Sequence, residues 1–300
     1  MPKNNINIES VTITPEEQFR IASLNMLHND IRRSERMQML IEELQTIDAD
    51  VLCLQEVRTD GEIDILQTLS DALNMKFFHK GTDSEDVKSG NMSCNAILSK
   101  TQPESNKTIP LGVSGAQAVF LESVMVSLKF NESEIFIMNA HLAWGGHNGW
   151  ARQHQLELLV RESERVKIKS PDAVIIIAGD LNEIDSAQPL KYMYGESEGH
   201  LVKGTYWVDA WKVHGTSENE ITVELNNKLA LNTAIGNPSS LFPTVVPPRR
   251  IDYILSCGWV YGRKGYPLNF SRFADIPNVN GYTTSDHYGI YTDILIPSDR

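Results

Sequence analysis

The sequence predicts a layered α/β fold, with sheets stacked face to face and helices on their outer sides, and three observations carry that expectation. Strand-length apolar runs alternate with stretches of helical periodicity along most of the chain. No repeat, low-complexity tract or Gly/Ser/Pro linker divides the 300 residues, so they read as a single domain, 1–300. Apolar content of 41% against 22% charged residues is enough to bury a substantial core.

The elements follow in order. Residues 1–19 are polar and patternless and read as an N-terminal extension. Phe19 to Asn25 is an apolar, strand-like run. Met37, Leu40, Ile41 and Leu44 then fall at helical spacing behind Ser34, a residue type suited to an N-cap. Val51 to Leu54 is a short apolar strand that stops at Gln55-Glu56, and Ile63, Leu66, Leu69 and Leu73 mark a second helix. The pattern turns β-rich through Asn95–Ser99, Val119–Phe130 and Glu134–Ala140. Residues 150–168 are helical, with Leu156, Leu159, Val160 and Val166 on one face, and Ala173–Ala178 is a wholly apolar strand. The Gly-, Asn- and Pro-rich stretch 195–250 reads as a long, partly ordered excursion before strands Ile251–Leu255 and Gly289–Ile296.

Composition narrows the function. No run of about 18 apolar residues exists to span a membrane, and the start, Met1 to Asn7, lacks the apolar core of a signal peptide. A soluble, cytoplasmic chain is the expectation. Cys53, Cys94 and Cys257 lack metal-type spacing and sit in or beside apolar runs, where a thiolate is costly, so they read as reduced core residues. A net charge of −12 repels a polyanion at long range, and the basic residues come only in scattered pairs, Arg32-Arg33 and Arg249-Arg250. Duplex nucleic acid is therefore possible but not favoured. Oligomeric state leaves no trace in the sequence.

Four apolar runs stop abruptly at polar residues able to bind metal or phosphate: Gln55-Glu56, Asn139-Ala140-His141-Leu142, Gly179-Asp180-Leu181-Asn182 and Arg250-Ile251-Asp252-Tyr253. Strand ends suit ligands, because the sheet fixes the position while the tip stays accessible. Each alone also reads as a turn, a cap or a structural histidine. Ser285-Asp286-His287 joins them near the C-terminus.

With Ser23-Leu24-Asn25, these motifs stand in the order found in the endonuclease/exonuclease/phosphatase superfamily, and the chain resembles it over residues 21–291. The resemblance implies a four-layer α/β/β/α sandwich of the deoxyribonuclease I type: two facing mixed sheets with helices outside. It implies a divalent-metal-dependent phosphoester hydrolase. Glu56 matches the principal metal ligand, with Asn25 beside it as ligand or water-holder and Asp286 as a second acidic position. These oxygen donors suit Mg²⁺ or Mn²⁺. Asp180 matches the carboxylate that orients and deprotonates the attacking water, and Asn182 a donor to the phosphoryl oxygens. His287 matches the histidine that contacts the scissile phosphate, with Asp252 orienting and charging it.

Where the apurinic/apyrimidinic endonuclease branch carries tyrosine, this sequence has His141, as the phosphatase, sphingomyelinase and deoxyribonuclease I branches do. That argues against abasic-site repair. The expected substrate is a small or lipid-derived phosphoester, with a nuclease as the alternative and a catalytically inactive binding protein third. Trp144 to Trp150 either lines a substrate pocket or packs locally. Asn95 and Ser99 match a family stretch near the site, where Asn95 either contacts phosphate or ends a turn. Arg152 and Gln153 open the next helix and read as solvated.

Overall fold

The computed structural model describes residues 13–85, 90–113, 122–196, 206–230, 247–257 and 264–298. The first half holds β1 (Gln18–Asn25), α1 (Arg33–Ile47), β2 (Val51–Arg58), α2 (Ile65–Leu73), β3 (Phe77–Lys80), β4 (Ser84–Glu85), β5 (Met92–Ser99), β6 (Ser105–Pro110) and β7 (Glu122–Phe130). Then come β8 (Ser133–His141), α3 (Gly149–Lys169), β9 (Val174–Asp180), α4 (Gln188–Tyr194), β10 (Trp207–Asp209), α5 (Ala210–His214), β11 (Asp252–Cys257), β12 (Ser271–Phe273) and β13 (Gly289–Leu295).

Two mixed sheets result. One runs β12-β13-β1-β2-β5-β3, with β4 also paired to β5, and the other runs β10-β11-β9-β8-β7-β6. The strands alternate their side chains between two faces, and both faces are apolar, which is the signature of a sheet covered on both sides. Ile21, Val51, Cys53, Ile137, Ile176, Ala178 and Ile254 fill the space between the sheets. Leu52 and Leu54 pack outward under Leu40, Leu44, Leu66 and Leu69 of α1 and α2. Met138, Ile177 and Leu255 pack outward under Leu156, Leu159 and Leu190 of α3 and α4. This is the four-layer sandwich that the resemblance implies. Among the described residues no helix is long and apolar enough to cross a membrane.

Several boundaries differ from the sequence expectations, each for a physical reason. Within the extension, Pro15–Glu17 form a 3-10 turn capped by Thr14. Glu17 is buried at 5% exposure, and its carbonyl accepts from Ile296 N. Residues 1–12 lie outside the described residues, as do Val119 to Leu121. Ser34 is inside α1 rather than its N-cap, a position taken by Arg32 in a left-handed conformation (φ 50°). The preceding loop is held instead by Arg36, whose buried guanidinium donates to the carbonyls of Met26, Leu27, Asn29, Ile31 and Thr284. The second helix starts at Ile65, behind Asp64, whose carboxylate accepts from Gln67 N, and leaves Ile63 half exposed.

The stretch 195–250 is not all excursion. Trp207, 1% exposed, heads β10, which pairs with β11 and extends its sheet, while 197–205 and 231–246 lie outside the described residues. The short or polar strands β3, β4, β6 and β12 escaped the sequence reading because edge strands need no apolar alternation. All three cysteines are buried and free. Burial pushes the Cys94 thiol up to about 12, consistent with inert core residues.

Candidate active site

Register alone aligns three of the expected residues. β8 and β9 pair in parallel with His141 opposite Asp180, and β9 and β11 pair antiparallel with Asp180 opposite Asp252. Cross-strand partners share a face. Ile137 and Asn139, Ile176 and Ala178, and Ile254 occupy the same alternation as His141, Asp180 and Asp252, so all three functional side chains point between the sheets. Gly179 makes that close pairing possible: at φ 139° a Cβ there would lie 2.0 Å from the Ala140 carbonyl oxygen.

The facing sheet contributes the other side. β1 and β2 run parallel with Asn25 opposite Gln55. Asn25 continues the alternation of Ile21 and Ser23 into the same space. By alternation Glu56 should point outward with Leu52 and Leu54. It does not, because β2 bulges: Leu54 pairs with Ala96 but Val57 with Cys94, which puts one extra residue on β2. Glu56 takes up the bulge at φ 55°, and its carboxylate turns inward. The strand continues to Arg58, so Glu56 is not a strand terminus.

Beneath this site the sheets are cross-linked by buried amides. Gln55 Nε2 donates to Asn139 Oδ1 at 2.7 Å and Ser23 Oγ at 3.2 Å, while Asn139 Nδ2 donates to the carbonyls of Leu54 and Ala96, both at 2.8 Å. Asn139 and Gln55 are thus structural. Asn95 also works structurally, donating to the Glu122 carbonyl, and Ser99 to that of Thr101.

The expected site residues converge on Asp180, 1% exposed. Its Oδ2 accepts from Asn25 Nδ2 at 3.1 Å and lies 3.3 Å from His141 Nε2 and 3.6 Å from His287 Nε2. Its Oδ1 accepts from the backbone N–H of Asn182 at 2.8 Å, a local turn with Asn182 at φ 50°. Asn182 Nδ2 donates to the Leu142 carbonyl at 3.1 Å. His287 Nδ1 pairs with Asp252 Oδ2 at 2.9 Å. Burial favours the neutral ring, yet the charges of Asp252 and Asp180, the Asp252 hydrogen bond and Asp286 outweigh it and hold the His287 pKa well above the histidine range.

Glu56 is held on both oxygens. Oε1 accepts from Asn25 Nδ2 at 3.1 Å, and Oε2 accepts from His28 N at 3.2 Å and His28 Nδ1 at 2.5 Å. Burial opposes ionisation, but the His28 hydrogen bond and charge, with help from His141 and Asn25, keep this carboxyl well below its usual range. Asn25 turns its amide nitrogen toward the two carboxylates, and its Oδ1 accepts from Leu27 N at 3.0 Å. Asp286 is pushed up by burial and by the charge of Glu56, against the pull of His287 and Arg36. Ser285 ties this loop to β1 by donating to the Asn25 carbonyl at 2.6 Å.

The expected ligands Glu56 and Asp286 are oxygen donors, and the charge of Glu56 that raises Asp286 is what a hard cation would relieve, whereas Asn25 Oδ1 accepts from Leu27 N and its Nδ2 donates to the carboxylates, so it orients Glu56 instead of offering an oxygen. They fit a divalent ion. Among the described residues the one trio of His, Cys, Asp or Glu with ligand atoms all within 4.8 Å is a different set, Asp180, Asp252 and His287. There the histidine itself supplies the cation, since an imidazolium has no lone pair to give a metal.

Two participants, His28 and Arg36, were not singled out in the sequence, and a third, Arg152, read as solvated. His28 follows Asn25 by three residues, in the loop that leaves β1, the one signal that pointed to it. Arg152 is 5% exposed, pairs with Glu183 at 2.9 Å and donates to the carbonyls of Ala143 and Gly145, so it is not solvated. With Asn148 Nδ2, which donates to the Trp144 carbonyl at 2.7 Å, it ties down the Trp144–Trp150 loop and leaves Trp150 half exposed.

Comparison with known proteins identifies the family and the fold. Residues 22–287 match the sequence model of the Endonuclease/Exonuclease/phosphatase family. Drosophila melanogaster protein angel is 21% identical over 177 residues, covering 57% of this chain and 49% of that protein, so the match spans about half the relative's length. Among solved structures, truncated Caenorhabditis elegans TDP2 superposes with a TM-score of 0.68 at 19% identity, covering 93% of this chain and 97% of its own. Danio TDP2 (D. rerio), complexed with a single-strand DNA product, gives 0.67 at 20% identity over 92% and 98%.

Proposed function

The chain belongs to the endonuclease/exonuclease/phosphatase family of metal-dependent phosphoric ester hydrolases, and on that premise we propose that it hydrolyses a small or lipid-derived phosphoester by direct attack of water. The convergence on Asp180 carries this reading: one buried carboxylate, fixed through both oxygens, meets His141 from the neighbouring strand of its own sheet and Asn25 and His287 from the side of the facing sheet. A general base needs that fixity.

In this reading Asp180 takes the proton of the attacking water. His287, charged and oriented by Asp252, donates from Nε2 to a phosphoryl oxygen, and Asn182 and His141 bind the remaining oxygens. Glu56 and Asp286, with Asn25 orienting the Glu56 carboxylate, would hold Mg²⁺ or Mn²⁺. When bound, that ion supplies charge neutralisation on the phosphoryl group and at the leaving oxygen. A covalent intermediate has no support, since the cysteines are buried with raised pKa values and Ser285 Oγ is committed to the Asn25 carbonyl.

The substrate reading rests on charge. Of the two arginine pairs in the sequence, Arg32 is paired with Glu35, Arg33 with Asp30, and Arg250 with Asp209 and Asp185. Of these four arginines only Arg249 is without an ion pair among the described residues, so neither pair offers a stripe for successive phosphates. A second reading, the end of a nucleic-acid strand, is favoured by the Danio neighbour's single-strand DNA product. A panel of phosphoesters assayed with Mg²⁺ or Mn²⁺, as monovalent salt rises from about 50 to 200 mM, separates the two. A compact substrate loses little kcat/KM over that range, whereas a multi-phosphate grip loses about 10³-fold or more. Steep loss on DNA or RNA with negligible turnover of small phosphodiesters would replace the first reading by the second.

A further inference from the structure

Adjacent arginines at the mouth of β11 have opposite fates. Arg250 is 4% exposed and ion-paired: its two terminal nitrogens bond Asp209 and Asp185 and the guanidinium lies over the rings of Trp211 and Tyr253, with Nε, like that of Arg249, left without a partner. Arg249 is half-buried, and its guanidinium makes no hydrogen bond or ion pair among the described residues; its Nε is out of reach of water and unpartnered. Its backbone is nonetheless pinned. Arg249 N donates to the Val223 carbonyl at 3.0 Å, and the Arg249 carbonyl accepts from Val223 N at 3.0 Å and Thr222 N at 3.1 Å. Three residues on, Asp252 N donates to Thr222 Oγ1, so the segment from Arg249 to the dyad is one clamped unit.

The surroundings of that guanidinium belong to the site. Asp180, Glu183 and Asp252 attract it electrostatically without pairing with it, and Arg152 repels it. Glu183 is already engaged by Arg152. A guanidinium whose charge burial opposes, on a backbone clamped to the dyad segment and within electrostatic reach of the site's carboxylates yet bonded to none, is arranged for an anion that arrives from outside.

We propose that Arg249 is a substrate-binding residue whose guanidinium pairs with a phosphate oxygen of the bound phosphoester. The proposal rests on the phosphoesterase reading of the site. The shared chemistry is a phosphate oxygen, and its source is either the scissile phosphate or a second phosphate next to it. Arginine suits the role because its planar fork can take two oxygens at once.

Two readouts independent of turnover test it. Inorganic phosphate titrated calorimetrically into the full chain with Mg²⁺ should bind Arg249→Gln about 10- to 100-fold more weakly than the parent, the loss expected for a charge-assisted hydrogen bond. Without phosphate, the variant's Tm should equal or exceed the parent's, because a half-buried cation without a partner costs stability. A structural arginine would instead lower Tm. Arg249→Lys keeps the charge, loses the fork and should fall between the two, and it serves if the glutamine variant fails to fold. Equal losses of kcat/KM on diesters with one and with two adjacent phosphates assign the contact to the scissile group, and a loss confined to the latter assigns it to the neighbour. Phosphate affinity unchanged from the parent, or no phosphate binding by the parent, overturns the inference. If the parent hydrolyses no phosphoester yet the phosphate affinities still separate, the functional reading fails and the anion site stands.

Discussion

Asp252→Asn is the most informative single substitution at this site. The parent carboxylate pairs with His287 Nδ1 at 2.9 Å, with the two side chains 2% and 10% exposed. A hydrogen bond to a charged group contributes about 1.5–3 kcal/mol. The amide keeps the shape of the aspartate and deletes its charge, so the imidazolium loses that support. At about 1.4 kcal/mol per tenfold, kcat/KM should fall roughly 10- to 150-fold near neutral pH.

The pH dependence follows from the sign of the shift. His287 has a raised pKa in the folded protein, so it is charged below that value and loses its proton as pH rises through it. Its contribution to stability is fully present below the unfolded histidine value of about 6.5 and disappears as pH rises through the folded one. Without Asp252, burial acts with less opposition and the folded pKa falls. The basic limb of the kcat/KM profile must therefore move toward acid, and the stability gap between parent and variant must narrow in alkali. Rate profiles at fixed free Mg²⁺, with denaturant titrations at mildly acid and alkaline pH, measure both. His287→Ala and Asp252→Asn should be strongly non-additive in the double variant. A limb that stays in place or moves toward alkali, or losses that simply multiply, would refute the dyad.

Glu56→Gln should abolish measurable turnover and the heat of Mg²⁺ titration while preserving the circular dichroism spectrum; a variant that binds Mg²⁺ and turns over like the parent would show that the ion sits elsewhere. Asp180→Asn should cost about 10²-fold or more in kcat, with no burst of leaving group at any enzyme concentration, and a trapped phosphoenzyme would contradict direct water attack. Gly179→Ala sets a Cβ against backbone that cannot swing aside, so a loss of about 2–4 kcal/mol is expected in denaturant titration, and wild-type stability would mean that β8 and β9 tolerate separation.

The limits of the sequence reading fall where local pattern and tertiary contact diverge. Helices with a one-sided apolar face and strands buried on both sides announced themselves. The edge strand β6 did not, because five of its six residues are exposed and it carries no apolar rhythm. Arg152 read as solvated because nothing local reveals that Glu183, 31 residues away, would meet it inside the protein. Arg36 was silent for the same reason, since its partners are backbone carbonyls that any sequence possesses.

The sequence by itself determined the layered architecture and the identity of the residues at the strand ends. Period-two alternation places His141, Asp180 and Asp252 on one face once β8, β9 and β11 are adjacent, and the Gly-Asp-x-Asn and Ser-Asp-His motifs carry the resemblance to the family. Only the tertiary structure decided how Glu56 joins them. Alternation sends that side chain toward the outer helices, and one extra residue in β2, a left-handed φ and the hydrogen bonds from Asn25 and His28 turn it inward. A bulge is a property of two strands paired against each other, so it is absent from the sequence of either one.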